Sequence, residues 1–312
     1  MPKLVITEYM DDAAVADLHQ SFELVYDPQL VDDRPRLISL LADAEGLVVR
    51  NRTQVTAELL DHAPNLKVIG RLGVGLDNID LGAAAARNIA VCPAEGANAD
   101  SVAEYVITSA MLLLRPVYQA RAAMIAGQFP RPQLSHGQEI RNKTMTLIGG
   151  GVIGLATMRR AEAMGMSVVI VDPQLELGLT IDGAEVVTMD VGLRQGDVIS
   201  LHVPLNDKTR DLIDAKTLSL MKSSAVLINT ARGGVVDHQA LAEALRSGKI
   251  AGAALDVFPN EPASADDLAM FAGLDNIILT PHVAGLTQEA NSRVGTITAN
   301  NIRRYLEPSS CP

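Results

Sequence analysis

Short apolar, β-branched runs alternate with longer amphipathic stretches along nearly the whole chain, and no other feature constrains the fold as strongly. This alternation is the signature of βαβ units, in which crossover helices join parallel strands. In the first third the expected strands are 3–7, 22–26, 46–50, 66–71 and 89–91, with helical patterns at 12–19, 35–44 and 56–63. A second, stronger series begins at Thr144: TMTLIG, SVVIVD, AEVV, DVISLHV, AVLINT, IAGAALDV and NIILT. Their near-continuous apolarity suits strands covered by helices on both faces. The expected fold is therefore α/β with two doubly wound parallel-sheet domains. A length of 312 residues agrees, at roughly 100–200 residues per domain.

The joints between the two series set the expected boundaries. SVAEYVITSAMLLL, 101–114, lacks Gly and Pro and carries Glu104 three residues after Ser101, so it predicts a capping box followed by a buried helix. The helical pattern at 291–306 predicts a return helix on the first domain. The substrate-side domain would then be 1–100 completed by 286–312, with 101–285 inserted into it. The polar, Pro-containing stretch 128–142 reads as a surface arm.

Composition excludes several function classes. With 26 basic against 37 acidic side chains, the net charge of -11 argues against nucleic acid or an anionic membrane as the main partner. It leaves room for a small anion held by a few local arginines. Cys92 and Cys311 can neither build a disulfide scaffold nor supply a spaced metal site, so no metal is expected and both read as reduced thiols. The start, MPKLVITEYMDD, has no secretory pattern. The longest uncharged apolar run, 144–158, is 15 residues with four glycines, too short for a membrane span. A cytoplasmic protein is expected.

TLIGGGVIG sets Gly149, Gly151 and Gly154 in G-x-G-x-x-G register, after a strand and at the start of a helical run. In that register the first glycine permits the tight turn, the second lets a pyrophosphate approach the backbone, and the third lets helix and strand pack closely. The helix N-terminus then offers its N–H groups to the anion. Asp172 ends the next strand, 18 residues past Gly154, where an acid can bind an adenosine ribose. An acid there repels a 2′-phosphate, which favours NAD over NADP.

Three further motifs lie at successive strand ends, the side on which open α/β sheets bind ligands. They are NTARGGVVD with Arg232, LDVFPNEP with Asp256 and Glu261, and LTPHVAG with His282. Singly, each has a plain structural explanation. Together they supply a guanidinium for a carboxylate, an acid/base histidine and a carboxylate to orient it.

These motifs, with LHVPLNDKTRDLI between them and VVRNRTQV, LKVIGRLGVGLDNIDL and ADSVAEYV before them, resemble in order and spacing the D-isomer-specific 2-hydroxyacid dehydrogenases. The resemblance runs from Arg50 to about Gly285 and implies a Rossmann NAD domain inserted into a flavodoxin-like substrate domain. It implies that His282 is the acid/base, that Glu261 pairs with it and favours the imidazolium, and that Arg232 binds the substrate carboxylate and polarises the carbonyl. It also implies that Val152, Ile153, Val203, Pro204, Thr209, Thr230, Ala231, Asp256 and Gly285 line the dinucleotide. Backbone at Val74 and Gly75 would hold the substrate carboxylate. Phe129 stands where that family commonly has tryptophan, and Gly150 where it has a bulkier apolar residue.

Arg50, Arg52 and Arg71 fall at or just after first-domain strand ends. They read either as solvated surface charge or as partners of a second anionic group on the substrate. Arg50 and Arg71 match positions in relatives similar to 3-phosphoglycerate dehydrogenase; Asn51 and Asn98 join the candidate substrate side, and Arg131 corresponds to an arginine that reaches a neighbouring subunit. The expected substrate is a 2-hydroxy acid with an anionic group on C3, such as 3-phosphoglycerate or 3-sulfolactate, and the expected assembly a homodimer. A glyoxylate/hydroxypyruvate (glycerate) reductase and an NAD-sensing corepressor-like protein are the alternatives.

Overall fold

The structure, a computed structural model, describes residues 1–307; Cys311 lies outside the described residues. The chain divides into two compact units, residues 1–98 with the segment from Leu286 onward, and residues 99–285.

The first unit is built on five strands, β1 (Lys3–Ile6), β2 (Glu23–Tyr26), β3 (Gly46–Val49), β4 (Val68–Arg71) and β5 (Ala90–Pro93). All pair in parallel in the order β2-β1-β3-β4-β5. Crossovers run through α1 (Asp12–Leu18), α2 (Arg34–Leu41), α3 (Ala57–Asp61) and α4 (Leu81–Ala86). Each opens on a side chain that accepts a first-turn N–H: Asp11, Asp33, Thr56 and Asp80. Successive strand residues face opposite layers. Val5, Leu47 and Ile69 pack with Leu37 and Leu59 on one face, while Leu4, Ile6, Val48 and Val68 pack with Leu18 and Ile302 on the other. That second layer is completed by the terminal helix Gln288–Leu306, whose Val294, Ile302 and Leu306 are buried. From β1 the chain moves one way to β2, then returns past β1 to β3. The switch point of this sheet is thus the gap between the carboxyl ends of β1 and β3.

In the second unit the strands are β6 (Thr144–Ile148), β7 (Ser167–Val171), β8 (Thr180–Ile181), β9 (Ala184–Val186), β10 (Val198–Leu201), β11 (Val226–Asn229), β12 (Gly252–Leu255) and β13 (Ile277–Leu279). Their order is β13-β12-β11-β10-β6-β7-β9-β8. All pairs are parallel except β8–β9, an edge hairpin closed by Asp182 and Gly183, both at positive φ. Asp-Gly is the dipeptide that such a two-residue turn favours; AEVV is expected as a strand from the sequence, and its short partner β8 is not. Here the switch point lies between β6 and β10.

The helices of this unit are α5 (Ala99–Leu114), α6 (Arg121–Ile125), α7 (Val152–Ala163), α8 (Met189–Gln195), α9 (Ala215–Leu220), α10 (His238–Arg246) and α11 (Ala265–Leu268). α5 begins two residues before the expected start, so Ser101 is a buried first-turn residue and makes no capping box with Glu104. Glu104 and Asp100 instead reach Arg160 on α7. Small side chains, Ala99, Ala103 and Ala156, let these two helices approach closely. After α6, residues 126–143 contain no regular element, and Tyr118, Ile125 and Phe129 are largely exposed. No described helix is long and apolar enough to cross a membrane.

Candidate active site

The glycine turn at the carboxyl end of β6 separates two kinds of glycine. Gly149 has φ +109°, and a Cβ there would lie 2.4 Å from the His202 carbonyl oxygen. A Cβ at Gly154 would lie 2.3 Å from the Gly149 oxygen. Both are demanded by the packing of the turn itself. Gly151 is different: a Cβ on it would meet nothing within 4 Å, and it precedes α7 without a side-chain capping bond. The first turn of α7 therefore directs uncapped N–H groups at open space, an arrangement that favours an anion.

Asp172 lies beside this turn, its Oδ2 accepting from Gly150 N at 2.9 Å and its Oδ1 from Gln174 N at 2.9 Å. Val152 is exposed and Val203 half-buried at the same edge, whereas Ile153 packs against the alanine cluster under α5 and Ala231 is buried. Thr209 donates to Pro204 O at 2.6 Å and accepts from Asn206 N at 2.8 Å, fixing the turn after β10. The buried Thr230 hydroxyl has no partner among the described residues.

His202, which the sequence reading does not single out, backs this site from the end of β10. Its Nε2 lies 3.0 Å from the buried Ser200 hydroxyl, and burial lowers the imidazole to about 4. It is neutral at physiological pH.

The three chemical motifs converge on one edge. His282 has φ +56°, an uncommon conformation for a residue with a Cβ. It is held there by His282 N donating to Asp256 O at 2.7 Å. Asp256, 1% exposed, secures the rest of the turn: Oδ1 accepts from the Thr280 hydroxyl at 2.6 Å and Val283 N at 2.9 Å, and Oδ2 from Ala284 N at 2.8 Å. The Tyr105 hydroxyl on α5 lies 2.6 Å from the Thr280 hydroxyl behind it. Asp256 is therefore directed at the histidine turn, a use that its expected place on the dinucleotide does not describe. Half-buried Gly285 ends the turn.

Glu261 Oε2 lies 2.6 Å from His282 Nδ1, and its Oε1 accepts from Phe258 N at 3.0 Å. Burial works to raise this carboxyl. The His282 hydrogen bond, the Phe258 N–H and the charges of His282 and Arg232 outweigh it, so the group is held below the usual range. An ionised Glu261 can only accept, which places the proton on Nδ1 and leaves Nε2 as the nitrogen available for exchange. Arg232 follows a turn clamped by buried Asn229, whose side chain accepts from Ala231 N and donates to Arg232 O. The next residue, Gly233, touches the Phe258–Pro259 backbone so closely that a Cβ would fall 1.9 Å from Phe258 C. That contact brings the Arg232 and Glu261 loops together.

In the first unit the structure separates three arginines that look alike in sequence. Arg52 pairs with Asp32 at the exposed surface, 2.6 Å. Arg71 folds its Nη1 back onto Leu72 O at 3.0 Å. Arg50 is half-buried and among the described residues its side chain bonds neutral oxygens, Asn291 Oδ1 at 2.8 Å and Tyr9 O at 3.5 Å. Asn51 is exposed, as are Val74 in the turn after β4 and Arg131 in the arm, while Gly75 is half-buried. Asn98 has a buried Oδ1 with no partner among the described residues.

Residues 107–284 match the model of the D-isomer specific 2-hydroxyacid dehydrogenase NAD binding domain. Over 310 residues, 98% of this chain and 99% of the relative, the chain is 46% identical to (S)-sulfolactate dehydrogenase of Chromohalobacter salexigens. The chain belongs to the D-isomer specific 2-hydroxyacid dehydrogenases. Another member, D-3-phosphoglycerate dehydrogenase of Methanocaldococcus jannaschii, is 39% identical over 98% of this chain and 58% of its own length. The solved D-lactate dehydrogenase of Aquifex aeolicus, complexed with NAD and lactic acid, superposes with a TM-score of 0.82 at 28% identity, covering 97% of this chain and 94% of that one.

This dehydrogenase is accordingly an NAD-dependent oxidoreductase. Its residues fit the cofactor: the uncapped first turn of α7 with free space at Gly151 suits a pyrophosphate, and the Asp172 carboxylate beside it suits a ribose.

Proposed function

We propose that this dehydrogenase interconverts a 2-hydroxy acid bearing a second anionic group on C3, such as 3-sulfolactate or 3-phosphoglycerate, with its 2-keto acid. The chemistry rests above all on His282 Nδ1 lying 2.6 Å from the ionised Glu261. NAD, when bound, supplies the hydride acceptor or donor. In oxidation His282 Nε2 takes the proton of the 2-hydroxyl, and Glu261 stabilises the imidazolium that results; in reduction the same nitrogen returns it. Arg232 binds the carboxylate and polarises the C2 oxygen, assisted by backbone N–H groups at Val74 and Gly75. Val152, Val203, Pro204, Thr209 and Thr230 would line the cofactor, and Asp172 would select NAD.

The second anion is assigned to Arg50, a half-buried guanidinium that forms no ion pair among the described residues and feels the Glu8 carboxylate only at longer range, so that its side chain is left for an external anion. Arg71 and Asn98 assist; the surface pairing of Arg52 supports only a peripheral role. The 46%-identical relative named for sulfolactate supports the same substrate class. A panel comparing 3-sulfolactate and 3-phosphoglycerate with glycerate tests it. At least one C3-anionic acid should exceed glycerate in kcat/KM by about a hundredfold, as a charge-assisted contact of about 3 kcal/mol requires; equal values would reject the assignment.

The same reading takes the enzyme as a cytoplasmic homodimer. Tyr118, Ile125 and Phe129 are large apolar side chains left exposed, of the kind that a second copy covers. A monomer in sedimentation at micromolar concentration would contradict it.

A further inference from the structure

Three buried polar residues, Thr7, Glu8 and Asn78, enclose a single turn beside the switch point of the first sheet. Leaving β3, residues 50–53 turn all four of their N–H groups toward Glu8, which follows β1. Its carboxylate accepts from Arg50 N at 2.9 Å, Asn51 N at 3.3 Å, Arg52 N at 3.1 Å and Thr53 N at 2.9 Å. On the other side Asn78 donates to the turn's carbonyls, Arg50 O at 3.3 Å and Thr53 O at 2.7 Å. Thr7 and Thr53 join their hydroxyls at 2.8 Å. Glu8 is 5% exposed, Asn78 9%, Thr53 3% and Thr7 0%.

A run of convergent N–H groups at this point of a doubly wound sheet is a ready anion site. Here the protein's own carboxylate fills it. Burial would raise the Glu8 carboxyl, but the N–H groups of Thr53, Arg50 and Arg52 and the Thr53 hydroxyl outweigh burial and hold it below its usual value. The turn is thus fixed around a permanent internal charge, and the Arg50 side chain leaves it in one direction, toward Tyr9 O and Asn291.

We propose that Glu8, backed by Asn78, is the positioning residue for substrate recognition by Arg50: it occupies the switch-point anion site with an internal carboxylate and so sets the guanidinium for the C3 anion. This rests on the assignment of Arg50 to that anion. Glu8 touches neither substrate nor cofactor, and its effect is read through Arg50.

The test is Glu8→Gln, which removes the charge and one acceptor while keeping the shape. With 3-sulfolactate, KM should rise about tenfold while kcat stays within about twofold, the pattern of lost uniform binding. The KM for glycerate and the Kd for NADH should stay within about twofold, since neither depends on Arg50. Equal KM rises with both acids, or an unchanged KM for 3-sulfolactate, would overturn the positioning role. If Glu8→Gln does not fold, Asn78→Ser decides in its place, with the same selective rise expected and its absence overturning the proposal. Arg50→Gln separates the two layers. A 3-sulfolactate to glycerate KM ratio unchanged in Arg50→Gln removes the Arg50 assignment, and this inference with it. A ratio altered in Arg50→Gln but kept in Glu8→Gln overturns the positioning role alone.

Discussion

At the switch point of the second sheet, the first turn of α7 directs uncapped N–H groups at open space beside Gly151. At the switch point of the first, Glu8 accepts four N–H groups for the chain itself. Both sheets are doubly wound, and both produce orphan donors where the strand order reverses. Topology therefore creates the anion site, and one side chain decides whether it is external or internal. The second unit leaves the first turn of α7 uncapped, as suits a dinucleotide, with Asp172 taking the Gly150 N–H of the loop. The first closes its site and presents an arginine from the closed turn.

The largest effect should come from breaking the open site. Gly149→Ala forces a Cβ to 2.4 Å from the His202 oxygen at a φ of +109°, so NADH binding should weaken by about a hundredfold or more and thermal stability should fall with it. Gly151→Ala meets no protein atom within 4 Å. It should leave the melting temperature within about 2 °C and still weaken NADH by about tenfold, because the space belongs to the ligand. Calorimetry of both variants sharpens the contrast; equal losses of stability would erase it.

A smaller effect distinguishes the groups that brace the two sites. His202 is lowered to about 4, so below its ordinary value the unfolded chain takes a proton that the folded chain refuses. Its contribution is full above pH 6.5 and is lost as pH falls toward 4, about 3 kcal/mol at the end of the window. His238, also lowered by burial, acts with the same sign. Glu8 is lowered from 4.5, so its contribution is full above that pH and is lost only as pH falls below it. Melting temperatures between pH 7 and 4.5 should therefore decline in the wild type and decline less in His202→Gln. Superimposable profiles would show that His202 is not the neutral brace of the glycine loop.

What the sequence makes legible is what lies close together along the chain. The glycine spacing and Asp172 sit within one βαβ unit, so their placement follows from local geometry. The placement of His282, Glu261 and Arg232 is legible because each lies in a motif that follows a recognisable strand. Glu8, Asn78 and Tyr105 are not, because their partners lie 42–45, 25–28 and 175 residues away and only the folded sheet brings them together. The start of α5 is misread because Ser101 and Glu104 imitate a capping box inside a helix that begins at Ala99. Arg50, Arg52 and Arg71 are indistinguishable as letters; the Asp32 pair and the neutral partners of Arg50 tell them apart.

Proton transfer at His282 in the NAD-bound enzyme is the central step. The most direct measurement is NADH absorbance at 340 nm during oxidation of 3-sulfolactate by wild type and His282→Gln, with NADH affinity measured on both. The wild type should turn over, and the variant should lose about a thousandfold or more in kcat while binding NADH within about twofold, the signature of a lost acid/base group. A variant that retains wild-type kcat would contradict the mechanism outright.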